Sequence, residues 1–470
     1  MLPVARARLP LGLLLAMAAG VLAGCADESV VASPSPPVVE SVVVTPGPHN
    51  VLSAVVTASV RDADSVVVLY GPTGEGLESV TPSTTASSDG VELAVLGLLP
   101  ATAYQLEVLA YGAGGVTASD TLVLTTDALP LDLPTYSAGG SDPTPGYVVF
   151  GAYPYGVVID NTGRVVWYRH LDWGPTLNFQ VVATGRYATS PTYPDPGDAA
   201  PWVELDLLGN ETRRMGCSAG LKSRFHELVA EADGSYWLMC DDTRVMDLTM
   251  FGGQPDAEVT GTAVQHVDAS GDALFSWTAF DHFAITDVDL ASRTGATVNW
   301  THGNAIDFTP DGNLLVSFRS LNEITKIDLR TGAVLWRLGG QANQFTALGG
   351  VPTFVGQHGV RMPGAGVLQL LDNRGLPGNT HARRYRIDEA SRTVAWTADY
   401  FSAPPASSLL GGSTQTLPGG HILVAYGNGN RVQEYDTGGN VVWEIHGNPG
   451  YVFRAQRIRS LYSLEFAGSR

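Results

Sequence analysis

The stretch Trp300–Gly340, WTHGNAIDFTPDGNLLVSFRSLNEITKIDLRTGAVLWRLGG, decides the fold. It reads as four short strands. The first carries His302 and Asn304. An Asp311-Gly312 turn leads to a second, apolar strand that ends at Arg319. A third strand, Glu323–Asp328, turns through Arg330-Thr331-Gly332 into a fourth, Ala333–Leu338. Four antiparallel strands joined by tight turns make one small sheet, and such a sheet cannot bury both faces alone. It needs copies of itself on either side.

The chain supplies them. A strand ending in Asp, a tight turn and an apolar strand recur six times. The copies are Asp160–Gly163 before VVWY, Asp206–Gly209, Asp268–Gly271 before ALFSW, Asp328–Gly332 before AVLW, Asp388–Arg392 before TVAW, and Asp436–Gly439 before NVVW. Five copies place a Trp after the turn: Trp167, Trp277, Trp336, Trp396 and Trp443, which read as core between neighbouring sheets. The Asp positions are 46, 62, 60, 60 and 48 residues apart, a spacing that suits four-stranded units with variable loops. Six such sheets packed radially make a six-bladed β-propeller with a central channel.

A second repeat locates that channel. Strands end in Asp233-Gly234, Asp311-Gly312, Ala365-Gly366 and Gly419-Gly420. Eight residues before the second member of each pair stand His226, Asn304, His358 and Gly412. Seven residues after it stand Asp241, Arg319, Asn373 and Gly427. The first strand of a propeller blade lines the channel, so His226, Asn304 and His358 should converge at one height. His302, two residues before Asn304, should share its face of the strand.

The rest of the chain agrees with an all-β protein. Charged residues are 16% of the 470, and there are 54 Gly and 29 Pro. Low charge, many turn formers and short β-branched runs are the pattern of all-β folds. The net charge of −19 argues against nucleic acid as a partner, because phosphate would be repelled.

Residues 1–24 read as a signal peptide: Arg6 and Arg8 precede an apolar run from Leu11 to Leu22 that is too short to span a bilayer as an anchor. The run ends in Leu22-Ala23-Gly24-Cys25, which resembles a bacterial lipoprotein signal. That resemblance implies cleavage before Cys25, a lipid on its sulfur, export, and membrane attachment at the periplasmic or cell surface. Residues 25–37 are a Ser/Pro/acidic tether. Cys217 and Cys240 remain, and in an exported protein they can pair or stay as two buried thiols. Residues 38–127 contain short alternating strands, and Leu96-Gly97-Leu98-Leu99-Pro100-Ala101-Thr102-Ala103-Tyr104 resembles the tyrosine corner of a fibronectin type III domain. The segment is therefore expected to be a β-sandwich, a spacer or interaction module with no chemistry of its own. Residues 128–145 read as a linker, and 146–470 as the propeller.

His226, His302, His358 and Arg319 at one channel mouth make a polar pocket in an apolar ring. Polar residues that merely hold water are one reading. Three His around a divalent ion is another, but the Arg charge and the shortage of carboxylates oppose it, so no metal and no cofactor are expected. Anion chemistry fits better: Arg offers a fork of donors to a sulfate or phosphate, one neutral His can attack, and another can protonate a leaving oxygen.

The strings WTHGNAID (300–307), SFRSLNEITKID (317–328), VLWRLGG (334–340), GQHG (356–359) and LDN (371–373) resemble bacterial arylsulfotransferases of the aryl-sulfate-dependent type. The resemblance runs from about Gly146 to the C-terminus. It implies a six-bladed propeller behind a small β-domain. It also implies transfer of a sulfuryl group from a phenolic sulfate donor to a phenolic acceptor, by a ping-pong route through a sulfated histidine, without a nucleotide donor. By position, His358 would be the nucleophile. His302 and Arg319 would hold the sulfonyl oxygens, and His226 would be an acid/base partner or a further donor. Asn304 would orient the His-x-Asn pair, and Asn304 and Asn373 would sit with the substrate. The chain departs from the family in three ways. It has no Cys between Arg319 and His358, where some members carry a short-loop disulfide. Its first His stands in the looser setting RFHEL. Gly359 follows His358 in place of a larger polar residue, which would widen the pocket. Two other readings stay open: a non-catalytic lipoprotein whose propeller is a binding platform, and a metal-dependent propeller hydrolase.

Overall fold

A computed structural model describes residues 34–195, 197–350, 354–376 and 379–468. The signal peptide, Cys25 and most of the tether lie outside the described residues. No helix among them is long and apolar enough to cross a membrane.

Two sheets form the N-terminal part. Val38–Pro46, Ser53–Arg61 and Val91–Leu96 make the first. Ser65–Pro72 and Ala103–Gly112 centre the second, with Gly115–Ala118 and Leu122–Thr125 paired to the latter strand. Strand alternation buries Ala54, Val56 and Ala58 on one side and Tyr104, Leu106, Val108 and Ala110 on the other, in one shared core. The Tyr104 hydroxyl accepts the Leu99 backbone N–H at 2.8 Å, so the corner inferred from the sequence is formed.

The remainder builds six sheets. Sheet I contains Ala455–Ile458, Tyr147–Ala152, Tyr155–Ile159 and Val165–His170. Sheet II contains Asn178–Val182, Arg186–Ser190, Trp202–Leu205 and Glu211–Met215. Sheet III contains Lys222–Ala230, Tyr236–Met246, Ala257–Val267 and Ala273–Thr278. Sheet IV contains Gly303–Phe308, Leu314–Phe318, Glu323–Ile327 and Val334–Gly339. Sheet V contains His358–Gly364, Val367–Leu376, Asn379–Asp388 and Thr393–Phe401. Sheet VI contains Ser413–Thr416, Ile422–Ala425, Val432–Tyr435 and Val441–His446. From II to VI the first strand of each sheet touches the first strand of the next, and that of sheet I touches both II and VI.

Sheet I joins distant parts of the chain, because Ala455–Ile458 pairs antiparallel with Tyr147–Ala152. Sheet VI does the same at its outer edge, where Ser137–Gly139 pairs with Val441–His446. This corrects the reading of 128–145 as a linker. Its polar, Gly-rich composition hid one edge strand, and Leu129, Leu133 and Tyr136 pack on the adjoining core.

All six Asp turns connect the third and fourth strands of their sheets. In each, one Asp carboxylate oxygen accepts two backbone N–H groups at 2.8–3.1 Å. Such Asx turns fix the hairpin locally. The repeat Trp residues then tie sheet to sheet. Trp167 Nε1 donates to the Leu207 carbonyl in the turn of sheet II, Trp277 to Gly332 in sheet IV, and Trp443 to Asn161 in sheet I. Trp336 is buried as expected. Trp396 is not: it is 38% exposed. Its ring covers the buried Arg383 guanidinium, 5.0 Å from the ring centre, instead of filling a gap between sheets.

Candidate functional site

The Asp233, Asp311, Ala365 and Gly419 turns all join the first strand of a sheet to its second, as the register argument requires. His226 lies within the first strand of sheet III, and His358 opens that of sheet V. His302 departs from expectation. It precedes the sheet IV strand with a left-handed φ of 47°, so alternation along a strand does not aim it. A backbone bond does: Arg319 N–H donates to the His302 carbonyl at 2.9 Å, holding these two residues side by side.

The side chains meet. The His226 and His302 rings are 5.0 Å apart, edge to face. Phe453 packs against both His226 and His358, with centroids at 5.9 and 6.5 Å, and Phe225 stacks on His226 at 4.2 Å. His226 and His358 are buried, while His302 and Arg319 are partly exposed, so the cluster opens toward solvent on their side.

His358 is fixed in detail. Gln357 before it is fully buried, and its amide donates to Ser317 Oγ and to the Phe318 and Glu323 carbonyls in sheet IV. Asn304 Nδ2 donates to the Gln357 carbonyl at 2.7 Å. Asn304 therefore steadies the chain entering His358, not the His302 ring. His358 Nδ1 faces two oxygens, Asn373 Oδ1 at 2.9 Å and the Gly356 carbonyl at 3.0 Å. Both accept, so Nδ1 carries the proton and Nε2 presents a lone pair. The Gly411 N–H donates to that Nε2 at 3.2 Å. Asn373 is thus a positioning partner of His358, itself held by Ser408 and the Gly411 carbonyl. Gly359 has φ 60°, and a Cβ there would stand 3.0 Å from Ser413 Cα, so its role is close approach to sheet VI.

His302 has the opposite tautomer: Asn299 Nδ2 donates to its Nδ1 at 2.7 Å, leaving the proton on Nε2. Burial pushes the His358 imidazole down to about 4, with Arg319 acting the same way and the Asn373 bond opposing. Burial, then Arg319 and His358, push His302 down to about 3. Burial and His302 hold His226 well below its ordinary value. All three rings are neutral at pH 7.

Two arginines absent from the inferred set stand close enough to act electrostatically. Arg224 lowers the imidazoles of His226 and His302, and Arg374 lowers His358 and Arg319. Arg224 is paired with Asp241 at 2.6 Å. With the three rings neutral and Arg224 paired, the positive charge here comes from Arg319 and Arg374, and such a field favours an anion over a cation. Arg319 Nε and His226 Nδ1 are buried without a hydrogen-bond partner among the described residues, which leaves them available to an oxyanion. Arg224 adjoins His226, and Arg374 follows Leu371-Asp372-Asn373; those neighbours were the available signals for both. Phe453 carried none, because no Asp-Gly turn precedes the last strand.

Below the cluster, Glu227 pairs with Arg361 and Arg454 at 3.0 Å each, and Arg454 also donates to the His226 carbonyl. These buried ions form a floor. Cys217 and Cys240 are bonded, with Cα atoms 6.1 Å apart. The bridge pins the loop that leads to His226: Cys217 N–H donates to Ser223 Oγ. No group of three or more His, Cys, Asp or Glu side chains among the described residues is arranged to hold a metal ion.

Several solved structures are distantly similar. A protein of unknown function from Bacteroides caccae is 13% identical, with a TM-score of 0.44 over 67% of this chain and all of that one. A virginiamycin B lyase from Staphylococcus aureus is 10% identical, with a TM-score of 0.36 over 66% and 85%. Regucalcin from Agrobacterium tumefaciens is 15% identical, with a TM-score of 0.34 over 68% and 95%. Scores this low carry no argument about chemistry. No curated protein matches the chain. Residues 220–448 match the family model described as Arylsulfotransferase (ASST), a span that contains His226, His302, Asn304, Arg319, His358 and Asn373.

Proposed function

We propose that this chain is an aryl-sulfate sulfotransferase working through a sulfated His358. The observation that carries the reading is the His358 tautomer, with Nδ1–H held by Asn373 and an Nε2 lone pair beside the Arg319 charge. The match to the arylsulfotransferase family supports the same reaction class. In the first half-reaction the Gly411 N–H gives up its bond to His358 Nε2, the freed lone pair attacks sulfur, the S–O bond to the aryl group breaks, and a phenolate leaves. The sulfated ring is then cationic, and its Nδ1–H stays bonded to Asn373 and Gly356. Arg319 and the His302 Nε2–H donate to the non-bridging oxygens, where fixed donors lower the barrier. In the second half-reaction an acceptor phenol oxygen attacks sulfur, the S–N bond breaks, and the phenol proton passes to a neighbouring imidazole, with His226 the candidate. Burial is the main cause of the depressed basicity of these rings, and a bound sulfate ester offsets only the smaller contribution of the arginine charges.

The six sheets are read here as blades of a closed six-bladed propeller, on the strength of their first-strand contacts and the shared strands of sheets I and VI. The N-terminal part is read as a fibronectin type III-like domain on the strength of the Tyr104 corner. Cys25 is proposed to carry a lipid that holds the exported protein at a membrane. The donor is a small aromatic sulfate and the acceptor a phenol. Turnover of a panel of aryl sulfates with phenol acceptors tests the function. Transfer that vanishes in His358→Ala is expected; no transfer by folded wild-type protein across the panel would overturn it.

A further inference from the structure

The strand that carries His226 is interrupted where it reaches the site. Its pairing with the second strand of sheet III holds at Lys222 and Ser223 and resumes at Leu228, so residues 224–227 stand opposite Met239 alone. Such a bulge takes residues out of the ladder, and their carbonyls must find other donors. Side chains from neighbouring sheets supply them. Trp202 Nε1 donates to the Arg224 carbonyl at 2.9 Å, and Asn178 Nδ2 donates to the Phe225 and His226 carbonyls at 2.8 and 3.2 Å. Arg454 Nη2 donates to the same His226 carbonyl at 3.0 Å. The ladder of sheet III therefore does not fix His226. Asn178 of sheet II does, together with Arg454, which precedes Ala455–Ile458 of sheet I.

Arg454 is itself clamped. Its Nη2 pairs with Glu227 Oε1 at 3.0 Å, and its Nε donates to Asn178 Oδ1 at 3.3 Å. Glu227 Oε2 pairs with Arg361, three residues after His358 in the first strand of sheet V. Phe453, next to Arg454, packs on the His226 and His358 rings. Asn178, Glu227, Arg361 and Arg454 are all buried, so they act on the site through what they hold. A buried ion group is often no more stabilising than apolar packing of the same volume, so stability alone does not account for this one.

We infer that Asn178 and Arg454 are positioning residues for the His226 imidazole, holding it where it takes the proton of the acceptor phenol. The inference rests on the function proposed above and separates its two half-reactions. Attack of His358 on the aryl sulfate releases a phenolate and needs no base. Attack of an acceptor phenol on the sulfated His358 forms an S–O bond, breaks the S–N bond and passes the phenol proton to His226. Loss of either donor therefore falls on the second step.

Two variants of the full chain test it. Arg454→Met removes the guanidinium and keeps much of the stem. Asn178→Ala leaves Glu227 paired with Arg361 and Arg454, so it reports on the same carbonyl even if Arg454→Met does not fold. Each should lower kcat/KM for a weakly acidic phenol by about tenfold to a hundredfold, with kcat/KM for the aryl sulfate within about twofold of wild type. An electron-poor phenol already ionised at the assay pH needs no base, and with it the loss should disappear. Without turnover, the NMR resonances of the His226 ring in histidine-labelled protein, assigned with His226→Gln, should shift in both variants. A loss shared equally by donor and acceptor, a loss that persists with the ionised phenol, or unmoved His226 resonances overturns the inference. Resonances that shift, in a protein whose wild type transfers no sulfate, keep the clamp on His226 and remove the sulfotransferase reading. Transfer that neither variant alters does the reverse.

Discussion

His358 Nδ1 stands 2.9 Å from Asn373 Oδ1, and this contact decides which ring nitrogen carries the lone pair, one that the Gly411 N–H must release before it reacts. The amide oxygen can only accept, so the proton stays on Nδ1 and the lone pair on Nε2. Asn373→Ala should lower kcat by about 10² with little change in KM, because orientation is lost and binding is not. Steady-state kinetics with one aryl sulfate and one phenol checks this. A KM effect alone would mean that Asn373 contacts substrate instead.

Acid should act on this site twice. His358 is neutral above about pH 4, against about 6.5 for a free imidazole. The nucleophile of the free enzyme therefore persists through pH 5, and kcat/KM limited by it should fall only as pH drops through about 4. For stability, the folded pKa is depressed, so between pH 6.5 and 4 the unfolded chain binds more protons. Stability should be complete above 6.5 and decline as pH falls toward 4, by roughly 3 kcal/mol for this residue. Denaturant unfolding across that window, with His358→Asn as the shallower control, measures it.

Arg319 is argued to hold the charge that redistributes as sulfur changes partners. Arg319→Gln should lower kcat by about 10²–10³, the usual cost of one fixed donor at a developing oxyanion. Arg319→Lys should recover only part, since an ammonium keeps the charge and loses the fork. Full activity in Arg319→Gln would remove the residue from the mechanism.

The Cys217–Cys240 bridge closes a separation of 23 residues. Its loss in a Cys217→Ser, Cys240→Ser double variant should reduce stability by about 3 kcal/mol. The bridge pins the loop entering His226, so the reduced protein should also lose activity before it unfolds. Parallel thermal melts and assays with and without reductant test the order of those losses.

The Asp turns were legible because an Asx turn is local: one carboxylate and two N–H groups within a few residues. The strand-register count was legible for the same reason, since a tight hairpin fixes how far back the facing residue lies. His226, Asn304, Arg319 and His358 came from that count. Tertiary contacts were not legible. The aim of His302 depends on a left-handed residue and on a bond from Arg319. Asn304 turned out to serve Gln357, because the nearest acceptor belongs to the neighbouring sheet. The edge strand Ser137–Gly139 was hidden because three residues at a sheet edge carry no periodicity. Trp396 was misread because a repeat position does not reveal that a buried arginine lies beneath it.

The central claim is a covalent one. Brief exposure of the protein to an aryl sulfate without acceptor, followed by peptide mass spectrometry under conditions that spare N–S bonds, should find one SO₃ group on the peptide carrying His358. A phenol acceptor should discharge it. A sulfuryl group on any other residue, or transfer between phenols with His358 never modified, would contradict the account.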